Sequence, residues 1–112
     1  MHNLHATAKQ LDIIAQQVFK TRPNKGKVVP LGEPGGQPTA MFVERPIKSR
    51  FGYAWYTVSS SLDFNRLMIW DGTDKVDIFL PEEATAEELK TIMSQARDLF
   101  SQIKLATTAV AA

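Results

Sequence analysis

The side chains that come nearest to a catalytic or metal-binding set are His2 and His5, the aspartates Asp71, Asp74 and Asp77, and the consecutive serines Ser59, Ser60 and Ser61. Each set falls short of a working site. The two histidines lie one helical turn apart at best, and no third ligand stands near them in sequence. Asp71-Gly72-Thr73-Asp74 lacks the ligand spacing of a calcium loop, and aspartates in such a setting are turn formers. The serines have no G-x-S-x-G elbow around them. Gly32, Gly35 and Gly36 spell neither a dinucleotide fingerprint nor a phosphate loop. With no cysteine among 112 residues there is no thiolate nucleophile, no thiolate metal site and no disulfide framework. The expectation is a protein that is not an enzyme and that carries no cofactor and no metal.

What remains is a strip of cations beside aromatics. Arg22, Lys25 and Lys27 stand in a Pro/Gly-rich segment, Arg45, Lys48 and Arg50 follow, and the chain then runs into Phe51, Tyr53, Trp55 and Tyr56. Aromatics with arginine are the residue types enriched at protein interfaces. The predicted partner-binding residues are accordingly Arg45, Lys48, Arg50, Phe51, Tyr53 and Trp55. They would serve a small non-catalytic protein-binding module: a regulator, inhibitor or adaptor, of the size of phage- or plasmid-type accessory proteins. Its partner would be another protein or a second copy of the chain. The alternative is single-stranded nucleic acid, with cations neutralising phosphates and rings stacking on bases. That reading adds Arg22, Lys25 and Lys27 to the same strip, although the aromatic consensus string of RNA-recognition sheets is missing.

Charge supports either partner. The chain totals 13 Lys and Arg against 12 Asp and Glu, a net +1. The first 50 residues carry +5 and the remaining 62 carry −4, so the balance conceals two halves of opposite sign. No apolar run approaches a bilayer span, and the N-terminus lacks the basic start and apolar centre of a secretory signal, which points to a cytoplasmic protein without membrane contact.

The elements that must position the strip follow from periodicity. Residues 4–20 place Leu4, Leu11, Ile14, Ala15, Val18 and Phe19 on one helical face, with Asn3 or Thr7 as N-cap and Pro23 beyond the end. Residues 21–38 hold four Pro and four Gly, which predicts a long loop with at most a short edge strand at Val28-Val29. Strands are predicted over 39–44, 51–59, 62–70 and 75–80, with Asp71-Gly72 as the strongest hairpin signal. Thr85 and Glu88 form a capping box for a second helix over 86–105 whose stripe runs through Leu89, Ile92, Met93, Ala96, Leu99, Phe100 and Ile103. Residues 106–112 read as a frayed tail; their Ala-rich end resembles the termini that bacterial proteases recognise on tagged proteins. One domain of 112 residues results, of α+β class: a two-layer fold with an antiparallel meander of three to four strands and a helix at each end. The second strand has aromatics on both faces, more than one buried face absorbs, so the side away from the helices is expected to be covered by something else.

Overall fold

The computed structural model describes residues 3–21, 28–32, 35–49 and 52–111, with side chains at all of these except 48, 49 and 108–111. The element order is α1 (Leu4–Phe19), β1 (Val29–Leu31), β2 (Ala40–Ser49), β3 (Gly52–Ser61), β4 (Asn65–Trp70), β5 (Lys75–Leu80) and α2 (Ala86–Ala111). The strands form one antiparallel sheet in sequence order, β1-β2-β3-β4-β5. The α+β class is as expected, with five strands where three to four were predicted.

Local chemistry sets the ends of these elements. Asn3 Oδ1 accepts from the Ala6 amide at 3.0 Å and so caps α1. The helix stops at Lys20, which turns left-handed at φ 55° and donates its amide to the Gln16 carbonyl. In the β4–β5 turn, Asp71 Oδ1 accepts from the amides of Thr73 and Asp74 at 3.0 and 2.8 Å, while Gly72 takes φ 90°. The β3–β4 turn is closed by Ser61 Oγ, which accepts from Asp63 and Phe64 amides and donates to the Phe64 carbonyl. At α2 the capping box is reciprocal: Glu88 N donates to Thr85 Oγ1 and Thr85 N to Glu88 Oε1, each at 3.2 Å.

Three boundaries differ from expectation. β2 does not end before Pro46 but runs through it to Ser49. Pairing alternates along an antiparallel ladder, and the closing bond from Ser61 N to the Phe64 carbonyl fixes its phase. That phase turns the missing Pro46 donor away from β3, on a stretch of β2 beyond the reach of β1, where no ladder bond is lost. β1 is the short edge strand allowed at Val28-Val29, shifted to Val29–Leu31, and it accommodates Pro30 as an edge. Finally, α2 continues to Ala111 instead of fraying after 105; the added segment is half Ala and contains no Gly or Pro to stop it.

Both helices pack on the same face of the sheet and against each other. Leu11, Ala15 and Val18 of α1 and Leu89, Met93, Ala96 and Phe100 of α2 meet Val43, Ala54, Tyr56, Val58, Leu67, Ile69, Val76 and Leu80 from the strands. Every second strand residue therefore enters one core, and its neighbours point to the opposite face.

Candidate functional site

That opposite face holds the aromatics. Strand alternation and the register bring Tyr53 and Trp55 of β3 together with Met68 and Trp70 of β4, Phe79 of β5, Phe42 of β2 and Leu31 of β1. Trp55 and Trp70 are register partners, with ring centroids 5.2 Å apart and planes tilted by 31°. Phe79 meets Phe64 edge-on at 5.0 Å. Tyr53 is 74% exposed, Phe79 69% and Leu31 49%, and among the described residues no helix covers this side. A shallow recess of about 270 Å³ crosses the face between Leu31, Phe42 and Met68, with Glu44, Thr57, Ser59 and Arg66 around it.

Its charges are mixed. Arg66 forks onto Asp77 across β4 and β5, with Nε donating to Oδ1 at 2.6 Å and the second guanidinium nitrogen to Oδ2. The hydrogen bonds from Arg66 hold the Asp77 carboxyl below the usual carboxylate range, and those to Asp77 raise Arg66. Asp71 and Asp74 are drawn elsewhere, to Lys104 Nζ of α2 at 2.7 and 2.8 Å. Burial pushes the Asp71 carboxyl up, but hydrogen bonds from Lys104 and from the Asp74 and Thr73 amides outweigh it and bring it from 3.8 to about 2. The aspartates that looked like a cluster thus separate into two structural pairs on different sides of the hairpin. His5 is exposed at the start of α1, and His2 lies outside the described residues.

Of the predicted partner-binding residues, Tyr53 and Trp55 lie on the open face. Lys48 pairs with Tyr53 in the backbone register. Arg50 and Phe51 lie outside the described residues, as do Arg22, Lys25 and Lys27 of the nucleic-acid alternative. Arg45 requires correction. It does not sit on a turn beside the aromatics but in mid-strand on the helix-covered face, 5% exposed. Its Nε donates to both Asp12 oxygens at 2.8 and 3.0 Å and its Nη2 to Asp12 Oδ2 at 2.7 Å.

Asp12 belongs to the buried stripe of α1 and is the centre of a small polar network. Besides Arg45 it accepts from the Tyr56 hydroxyl and from Gln16 Nε2, both at 2.7 Å. Burial first, and then the bond to Asp12, raise the Tyr56 phenol above its ordinary value. The Phe19 ring stacks on Tyr56 at 4.9 Å and completes the seal. This network pins α1 to β2 and β3.

Sequence reading missed Phe42, Met68, Trp70, Phe79 and Leu31. Their signal was present as alternation within each strand, but only the register between strands shows that they share a face with Trp55, with Trp70 directly beside it and Phe42, Phe79 and Leu31 towards the other end of the strands. Asp12 also carried a signal: a carboxylate flanked by Leu11 and Ala15 on an apolar stripe requires a buried cation.

No protein-family model matches the chain, and neither a curated protein nor a solved structure matches it.

Proposed function

We propose that the protein is a non-catalytic protein-binding module, a regulator, inhibitor or adaptor, whose partner seats on the open face of the sheet. The observation that carries this reading is that Tyr53, Trp55, Trp70, Met68 and Phe79 share one face, which neither helix covers. Apolar surface of this kind, with polar groups interspersed, marks interaction sites. Arg66 and Asp77, already locked together, add a rigid polar contact without desolvating a lone charge.

Single-stranded nucleic acid is the weaker fit. Arg45 is withdrawn into the core, Arg66 is committed to Asp77, and Glu44 and Asp77 place negative charge on the same face. Phosphates need a positive track, and on the described part of this face Lys75, the register partner of Trp70, is a single exposed cation set against those carboxylates.

Binding is tested with Tyr53→Ser and Phe79→Ser, two exposed positions where the fold tolerates change. Affinity chromatography from the source cell and sedimentation of the purified protein should both register a protein partner or a second copy with the wild type. The double variant should weaken that association by about tenfold or more. An association unchanged by the double variant contradicts the reading. Salt-sensitive binding of a single-stranded oligonucleotide, seen by fluorescence anisotropy in place of any protein association, transfers the face to the alternative.

A further inference from the structure

Alongside the open face runs an unpaired strand edge, and we infer that it takes an extended segment of the partner as a sixth strand, one that alternates apolar and polar residues and sets an acidic side chain opposite Lys75. The inference rests on the reading of the protein as a protein binder and extends it from the face to the edge. Of the sheet's two ends, β1 is three residues long and contains Pro30, whereas β5 runs for six residues without proline. Among the described residues no strand pairs with the outer side of β5. Its free groups follow from ladder phase. Asp71 N donates to the Asp74 carbonyl, so that pair is hydrogen-bonded, and alternation from it turns the backbone of Val76, Ile78 and Leu80 towards β4. The amides and carbonyls of Lys75, Asp77 and Phe79 therefore point outward, a row that an antiparallel strand would satisfy.

Two further observations define that segment. The first is apolar cover beside the edge. α1 packs on β2 and β3 and α2 on β4 and β5, so one flank of α2 faces α1 and the other lies towards the outer side of β5. Arg97 marks the inner flank by donating to the Val18 carbonyl at 3.0 Å. Ile92, Leu99 and Ile103 lie roughly 120–160° round the helix from it, on the outer flank. Leu99 is 47% exposed, and Ile92 and Ile103 are half-buried. Every second residue of an added strand would point towards that flank, beside Val76 and Ile78, and is therefore apolar. The second observation is charge. Lys75 and Asp77 point the other way, onto the open face, and charges on an edge turn away unselected strands. Arg66 already answers Asp77, which leaves Lys75 for a carboxylate of the partner. A like charge there is destabilising, so this position sets the register. A second copy offering its own β5 would bring its α2 over the same edge, and a bare extended segment is the better fit.

The probe is the peptide acetyl-Thr-Val-Thr-Ile-Glu-Val-amide, whose glutamate stands opposite Lys75 when its first threonine stands opposite Phe79. It is titrated into ¹⁵N-labelled protein beside a twin with lysine in place of glutamate. The glutamate peptide should saturate, shift the Lys75, Asp77 and Phe79 amides, slow their hydrogen exchange, and bind about fivefold more tightly than its twin. Lys75→Glu, at an exposed position, should reverse that order. Methylating the backbone nitrogen of the peptide's second threonine, which points at Asp77, should abolish binding, while methylating that of its isoleucine, which points away, should not. Leu99→Gln should weaken binding by about threefold or more with an unchanged circular dichroism spectrum. The inference is overturned by no saturable binding, by equal binding of the two peptides to wild type, by no reversal in Lys75→Glu, by equal effects of the two methylations, or by full affinity in Leu99→Gln. The titration needs no cellular partner, so it can fail while the open-face association stands, and that association can fail the Tyr53→Ser and Phe79→Ser test while the peptide binds.

Discussion

The two faces of the sheet are built from the same strands and nearly the same residue types, yet they do opposite things. On β4, Asn65, Leu67 and Ile69 enter the core, while Arg66, Met68 and Trp70 face outward; on β3, Ala54, Tyr56 and Val58 enter and Tyr53 and Trp55 do not. Tyrosine illustrates the difference most sharply. Tyr56 is fully buried and donates to a carboxylate, while Tyr53, three positions earlier, is 74% exposed. Composition cannot distinguish a core face from a contact face. What distinguishes them is whether the chain itself supplies a covering layer, and here both helices cover the same side.

Four measurements break or sharpen that contrast. The largest expected effect concerns the polar centre of the covered face. Asp12→Ala leaves the Arg45 guanidinium buried without its carboxylate, and urea unfolding should record a loss of roughly 3–5 kcal/mol. Asp12→Leu combined with Arg45→Met should recover most of it, because the penalty comes from the stranded charge. If the single and double variants are equally unstable, the network does not hold α1 as described.

Neighbouring residues on β4 give the most direct side-by-side comparison. Leu67→Ala, on the covered face and fully buried, should cost roughly 2–5 kcal/mol. Met68→Ala, on the open face, should cost about 1 kcal/mol or less. Similar losses at both positions mean that the free protein buries both faces.

The acid limb of stability tests the side-chain pairs at the hairpin. Asp71 is held at about 2 against an ordinary 3.8, and Asp77 is also lowered. A carboxylate depressed in the folded state contributes stability that is complete above its unfolded value and lost as pH falls through the folded one. The melting temperature should therefore decline as pH drops from about 4 toward 2. Lys104→Met should flatten the part of that decline due to Asp71. A profile identical to the wild type would remove Lys104 from the account.

Legibility in the sequence followed the range of each interaction. The capping box at Thr85 and Glu88 and the Asp71-Gly72 turn were readable because their partners lie within three residues. The α+β class and both helices were readable from periodicity. One proline misled, because a proline forbids a ladder bond only on the side where its nitrogen points. Pro46 seemed to end a strand that continues past it, whereas the short edge strand allowed at Val28-Val29 is present and runs through Pro30. The aromatic strip was half legible. Tyr53 and Trp55 declared themselves, but Trp70 and Phe79 join them only through register. Arg45 was misplaced because its partner is Asp12, 33 positions away, and no local pattern announces a contact of that range.

The central claim is that the open face is where this protein meets its partner. It is tested most directly by placing a photocrosslinking amino acid at Phe79, and at Gln102 on the exposed side of α2 as a control, in the cell of origin. The account predicts a discrete protein adduct, or a covalent dimer, from position 79 and none from position 102. Adducts of equal yield from both positions, or from position 102 alone, would contradict it.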